Sequence, residues 1–352
     1  MFSELLIKGE NKMGILTIGI IGAGRIGKLH VDNLKSMPQI KIKAVSDVVV
    51  DHLHEWAASK EISTLTTNYQ DLLADPEIDA VFICSPTNTH ASIIKEAARA
   101  KKHIFCEKPV SFSVEETIQA LEVVKEYGVQ LQVGFNRRFD PNFKKVHDLV
   151  QQGEVGQPHI LKITSRDPQP PSPEYVRASG GLFMDMMIHD FDMARYVMDS
   201  EVIEVSAYGT TLIDPAIEEA GDIDTAIVSL KFANGALGVI DNSRQAVYGY
   251  DQRLEVFGEK GAAAADNCRP TTVEISTGES VVKEKPLYFF LERYTQAYID
   301  EVTQFARAIT ENQSVICTGN DGLQAERIAK AAKESLLSGQ PVKIEHKKYA
   351  VN

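Results

Sequence analysis

Residues 17–34 read TIGIIGAGRIGKLHVDNL, and the rest of the fold follows from how they read. A short apolar strand runs into GAGRIG, and an amphipathic helix leaves it, which is the context a GxGxxG pattern needs before it carries meaning. Gly22 allows the tight turn, Gly24 lets the backbone approach a pyrophosphate, and Gly27 lets the helix pack close to the strand. With Arg25 and Ile26 these residues form the expected cofactor-binding turn, its phosphates facing the helix N-terminus. The strand 40–47, IKIKAVSD, ends in Asp47, 20 residues after Gly27, where a carboxylate accepts hydrogen bonds from the adenosine ribose hydroxyls. Val48, Val49 and Val50 follow, with no Arg or Lys to hold a 2′-phosphate, so NAD is favoured over NADP.

The alternation continues through 136. DHLHEWAASK and YQDLLAD read as helices around a short strand near Leu65, and the strand IDAVFICS, a helix from PTNTH to Ala98, the strand HIFCE, the helix VEETIQALEVVKEYG and the strand VQLQVGF follow. Strands separated by helices of this length specify a parallel, doubly wound sheet of the Rossmann type, which binds ligands at the carboxyl ends of its strands. Three polar segments fall there: SPTNTH with Ser85, Pro86, Thr87, Asn88 and His90; CEKP with Glu107 and Lys108; and GFNRRFD with Asn136 and Arg137. Lys108 stands just past a buried strand, where its ammonium can bind a substrate hydroxyl; a solvated loop lysine is the bland alternative.

The second half changes period. HILKITSRD, VIEVSAYGT, DTAIVSLKFA, GALGVIDNSR and YDQRLEVFG read as strands joined largely by short turns, the signature of a large, mostly antiparallel open sheet in an α+β domain. Between the two halves lies Gly180–Arg195, GGLFMDMMIHDFDMAR, read as one apolar helix interrupted by Asp185, His189 and Asp192. Their i, i+4, i+7 spacing puts all three on one face. Ahead of it DPQPPSPEYVRASGG reads as a proline-restricted loop over the site or a plain surface connection. The expected division is 14–136 for the cofactor and 137–352 for substrate and oligomerisation, with 1–13 an extension. Two helices, about 290–310 and 322–337, close the chain.

Composition bounds the function. The chain has 352 residues, 43% of them hydrophobic and 24% charged, with net charge −12, which argues against nucleic-acid and anionic-membrane partners. No apolar run is long enough to span a bilayer. Cys84, Cys106, Cys268 and Cys317 show no metal-ligand spacing and suit free thiols in a reducing cytoplasm.

GAGRIG with a following Asp, CEKP after a strand and a downstream DxxxHD helix, in this order and at these distances, resemble the glucose–fructose oxidoreductase and inositol dehydrogenase family over nearly the whole chain. GFNRRFD, TSRDPQPPSPEYVRASGG, DMMIHDFD and YGYDQRLEVFGEKG resemble its inositol 2-dehydrogenase branch. The resemblance implies catalytic Lys108, Asp185 and His189, an inositol held by Asn136, Arg137, Asp167, Asp192 and Tyr250, and a homotetramer built on the open sheet. In that reading Asp185 orients His189, which takes the proton, although Lys108 is also open as the acceptor. Some inositol dehydrogenases carry His, Asn and Thr where this chain has Ser165, Asp167 and Met186, which leaves myo- and scyllo-inositol both open. A sugar dehydrogenase of the same fold, a non-catalytic NAD sensor and a metal site on Asp185, His189 and Asp192 remain as alternatives; no metal is expected.

Overall fold

The structure, a computed structural model, describes residues 15–345; the expected extension at 1–13 lies outside them. Six strands form the first sheet: β1 (Leu16–Ile21), β2 (Ile40–Ser46), β3 (Thr64–Thr66), β4 (Ala80–Ile83), β5 (His103–Glu107) and β6 (Leu131–Gly134). Their order is β3-β2-β1-β4-β5-β6, all parallel. Continuous apolar runs such as AVFI in β4, buried along their whole length, are what a sheet covered on both faces requires. The register aligns the strand ends, with Ile21 opposite both Ser46 and Ile83, Ile83 opposite Cys106, and Glu107 opposite Gly134. Gly22, Asp47, Ser85, Lys108 and Asn136 therefore leave the sheet along one edge.

The second sheet contains β7 (Pro158–Arg166), β8 (Val202–Thr210), β9 (Thr225–Phe232), β10 (Leu237–Ser243), β11 (Asp251–Gly258) and β12 (Gly261–Ala265). A small hairpin, β13 (Glu274–Ser276) and β14 (Val281–Lys283), stands apart, and β15 (Val342–Lys343) completes the large sheet in the order β12-β11-β7-β10-β9-β8-β15. All of its pairs are antiparallel except β7 with β10, whose parallel register sets Arg166 opposite Ser243. That pair matters for chemistry, because it delivers Asp167 and Arg244 side by side.

One sheet face is packed and the other is open. Leu161, Ile163, Val228, Leu230, Ile240, Leu254 and Val256 are buried, whereas Ile160, Tyr208, Ile227, Leu237 and Phe257 alternate with them and are exposed. The helix Thr295–Thr310, from the second half of the sequence, returns to the first sheet: Val302, Phe305 and Ala306 pack with Ile18, Ile20, Phe82 and Phe105. Phe305 is fully buried there, and truncating such a side chain costs about 3–5 kcal/mol. One helix of the second half thus contributes to the core of the first.

Two helical expectations are corrected. The stretch 180–195 is not one helix: Leu182–Asp185 forms one turn, Met186 and Met187 form a turn, and Ile188–Met198 is the helix proper. The amides of Met186 and Met187 both reach the Leu182 carbonyl, so the i, i+4 register does not run from Asp185 to His189. The proline-rich segment contains a helix, Pro173–Ser179, whose cap is Ser172, its hydroxyl accepting from the Tyr175 amide at 3.3 Å, with Pro173 at the first helical position.

Candidate active site

The glycine turn is built as its spacing predicts. Gly22 has φ +96°, and a Cβ there would stand 2.6 Å from the Ser85 amide nitrogen. A Cβ on Gly27 would lie 2.0 Å from the Gly22 carbonyl oxygen, whereas nothing lies within 4 Å of the Cβ position at Gly24. The cradle is therefore closed behind Gly22 and Gly27 and open at Gly24. No side chain caps the helix Arg25–Lys35, and its first turn holds no acid, so its amides remain available to an anion. Asp47 binds the turn itself, Oδ2 accepting from Ala23 N at 2.7 Å and Oδ1 from Val49 N at 3.1 Å. An ionised carboxylate has about four acceptor positions, so both oxygens keep capacity for ribose hydroxyls. Arg25, Pro86 and Asn88 are exposed along this edge, and Ile26, Ser85 and Thr87 are half-buried.

His90 departs from its expected place against the cofactor. Its side chain is buried, with Nε2 2.8 Å from the Ser85 carbonyl oxygen and Nδ1 2.8 Å from that of Pro109. It ties the two loops together from behind rather than contacting a ligand. Glu326, on the helix Gly319–Ser338, grips the same loop, its carboxyl accepting from Val110 N, Ser111 N and the Thr117 hydroxyl at 2.8, 3.1 and 2.7 Å. Glu107 is half-buried and pairs with the buried His30 at 2.7 Å.

Past Glu107 the Lys108–Pro109 peptide is cis, and the Lys108 ammonium donates to the Asp185 carbonyl oxygen at 2.6 Å and faces Asp185 Oδ1 at 3.4 Å. The Asp185 carboxylate is also taken by the Tyr175 hydroxyl on Oδ1 at 2.9 Å and by Arg244 on Oδ2 at 3.0 Å. Burial raises the Asp185 carboxyl, but Lys108 and Arg244 outweigh it and hold the group below the usual aspartate range. This arrangement corrects the expectation that Asp185 orients His189. Nδ1 of His189 is buried without a hydrogen-bond partner among the described residues, and its ring packs edge-on against Phe135 at 5.8 Å. Burial, then the charges of Lys108 and Arg137, push the imidazole well below its ordinary range, so the ring is neutral at pH 7.

Asp192 is corrected too. It is fully buried, and both oxygens are held by Arg138, Oδ2 by Nε at 2.8 Å and Oδ1 by the terminal nitrogen at 2.6 Å. Asp190, two residues earlier, is likewise fully buried and holds Arg137 at 2.5 Å and the Asn242 amide at 2.9 Å. Arg137 also donates to Ser165 Oγ at 3.3 Å, and Ser165 donates to Gln252 at 3.1 Å. Asn136 and Tyr250 are buried beside this network. Asp167 keeps 22% of its side-chain surface and lies 3.9 Å from Arg244, yet burial pushes its carboxyl up to about 6.

An open glycine cradle lies on the strand ends of the first sheet, and Lys108 and Arg137 join that edge to a polar cluster of arginine, aspartates and histidine. Residues 16–135 match the oxidoreductase family with NAD-binding Rossmann fold, and residues 143–264 match the GFO/IDH/MocA C-terminal domain. The chain belongs to the GFO/IDH/MocA family. It is 65% identical over 331 residues to the uncharacterized oxidoreductase YrbE of Bacillus subtilis, covering 94% of this chain and 97% of that one. It is 49% identical over 330 residues to a myo-inositol 2-dehydrogenase of Thermotoga maritima, covering 94% and 99%. The crystal structure of scyllo-inositol dehydrogenase from Lactobacillus casei with bound NAD(H) and scyllo-inositol superposes with a TM-score of 0.87 at 30% identity, covering 93% and 98%.

For a GFO/IDH/MocA oxidoreductase the NAD-binding cradle is in place: the open Gly24 position, uncapped helix amides and Asp47 fit a dinucleotide. Four site residues escaped the sequence reading, Asp190 among them. Arg244 follows β10, Tyr175 sits on the helix inside the proline segment, and Asp222 accepts from Leu182 N with both oxygens at 3.1 and 2.9 Å. The Ser-Pro pair at 172–173 marked the helix that carries Tyr175; for Arg244 the only local sign was a cation at the end of an apolar strand. Lys108, Arg137 and Arg244 against Asp167, Asp185, Asp190 and Asp222 give donors and acceptors with no excess positive charge. That balance suits a neutral, hydroxyl-rich ligand better than an anion.

Proposed function

We propose that the chain oxidises one ring hydroxyl of an inositol to a ketone, myo-inositol to scyllo-inosose, with NAD as acceptor. The observation that carries this reading is the Lys108–Asp185–Arg244 cluster beside a neutral His189, joined through Lys108 to the sheet edge that bears the NAD cradle. NAD, when bound, supplies the acceptor for hydride. Lys108 donates to the reacting oxygen and stabilises its alkoxide character. His189, uncharged because it is desolvated and flanked by cations, accepts the hydroxyl proton, through Nε2 since Nδ1 is enclosed. Arg137, Asn136, Asp167 and Tyr250 hold the remaining hydroxyls, and Asp167 and Met186 stand where the isomer is chosen. Asp185 fixes Lys108 rather than His189.

The division of labour follows: 14–136 binds the cofactor, and 137–352 binds substrate and oligomerises, with Thr295–Thr310 packed back on the first sheet. The exposed row Ile160, Leu237 and Phe257, aligned across β7, β10 and β11, supports a homotetramer built on the open face. Four cysteines present as thiols suit the cytoplasm. Replacing His189 with Ala is expected to lower turnover by roughly two to four orders of magnitude while NAD binding persists. A folded His189→Ala protein with unchanged turnover removes His189 from the mechanism.

A further inference from the structure

The turn Leu182–Asp185 carries the carboxylate on which Lys108 rests, and it is too short to hold itself. Four residues close barely one hydrogen-bonded turn, which is unfavourable without outside support. That support comes from two residues beyond it. Asp222 accepts from Leu182 N with both oxygens at the start of the turn, and Arg244 donates from one terminal nitrogen to Asp185 Oδ2 at its end. The other terminal nitrogen of Arg244 lies 3.8 Å from Asp222 Oδ2, so one guanidinium joins the two ends. Gly181 makes the approach possible, since a Cβ there would lie 2.7 Å from Asp222 Oδ1. Arg244 is itself fixed: its amide donates to the Asp224 carbonyl at 2.8 Å, and its side chain is 2% exposed.

We infer that Arg244 is a positioning residue for the reaction, holding Asp185, and through Asp185 the ammonium of Lys108, at the reacting oxygen. The lysine depends on Asp185 twice, through the main-chain carbonyl at 2.6 Å and through Oδ1 at 3.4 Å, and Arg244 sets both by fixing the residue that carries them. The charges facing this group come from every element around it: Lys108 after β5, Arg244 after β10, Tyr175 from the helix Pro173–Ser179, Asp167 after β7 and Asp222 before β9. His189, on the next helix, is faced by Lys108 and Arg137. Nε and the second terminal nitrogen of Arg244 make no hydrogen bond among the described residues, so its hold on Asp185 is a single N–H donor that a lysine can reproduce.

The inference rests on the reading that Lys108 and His189 handle the proton, and its test is the pH profile of kcat/KM for wild type, Arg244→Gln, Arg244→Lys and Asp222→Asn. Removing the positive charge at 244 moves the acid limb to higher pH by roughly half to one unit, because the cation that favours the charged forms of the Asp167 and Asp185 carboxyls beside Lys108 has gone. It also lowers kcat about 10–100-fold with a smaller change in KM, as loss of positioning does. Arg244→Lys restores the limb to within about 0.2 unit of wild type and part of kcat. Asp222→Asn, which keeps an acceptor for Leu182 N but removes a negative charge, moves the limb the opposite way. If Arg244→Gln does not fold, the opposite shift in Asp222→Asn carries the test alone. An unmoved limb in folded Arg244→Gln or Asp222→Asn, whatever the activity, overturns the inference. A wild-type protein that oxidises no inositol overturns the underlying reading instead.

Discussion

Asp192→Asn separates a substrate-holding role from a structural one. The Asp192–Arg138 pair is fully buried and two-pronged, and it joins the turn Asn136–Phe139 to the helix Ile188–Met198. Arg138 also reaches Asp321, which completes the capping box begun by Thr318 on the helix Gly319–Ser338, at 2.9 Å, so three elements meet on one guanidinium. Removing one partner of a buried pair costs about 3–5 kcal/mol because the other charge is left in a poor solvent. Asp321 still faces Arg138, which places the cost near 3 kcal/mol, the lower end of that range. At about 2.1 cal/mol/K of unfolding entropy per residue, 352 residues give roughly 1.4 °C per kcal/mol, so the melting midpoint falls by about 4 °C. Thermal unfolding by circular dichroism reads that shift, and steady-state kinetics on the same sample read KM for myo-inositol, expected to stay within about threefold of wild type. A midpoint lowered by less than about 2 °C, together with a KM raised tenfold or more, refutes the reasoning and returns Asp192 to the substrate.

Two other substitutions probe separate parts of the account. Asp47→Ala lowers kcat/KM for NAD by roughly tenfold or more, since hydrogen bonds to a charged group are worth about 1.5–3 kcal/mol, and narrows the preference over NADP; an unchanged NAD-to-NADP ratio removes Asp47 from ribose recognition. Burial raises the Glu326 carboxyl to about 8, above its unfolded value of 4.5, so the unfolded chain releases that proton first. Stability is then full below the unfolded value and declines as pH rises toward the folded one, by on the order of 1.4 kcal/mol per unit. Glu326→Gln keeps an acceptor for Val110 N and Ser111 N and flattens the decline between pH 5 and 8; parallel melting curves for the two proteins contradict this.

How much was legible follows from how local each signal is. The glycine turn is fixed by backbone geometry within a few residues, so Gly22 and Gly27 read correctly, and the strand-to-helix period located Lys108 at the edge of β5. Asp192 misled because helical spacing gives a face but not what that face meets; only the fold brings Arg138 beneath it. The break at Met186–Met187 has no glycine or proline to announce it, and it moved Asp185 away from His189 and toward Arg244. Arg244 was out of reach for a different reason. Its meeting with Asp167 depends on β7 and β10 being parallel neighbours although β8 and β9 lie between them in sequence, a pairing that no turn signal records.

The central claim is tested most directly by NADH formation at alkaline pH from myo-inositol, scyllo-inositol, glucose and xylose, each offered with NAD and with NADP. The account predicts NAD-linked oxidation with the highest kcat/KM on myo-inositol. Turnover of glucose or xylose in preference to both inositols, or NAD binding with no turnover of any of the four, would contradict it.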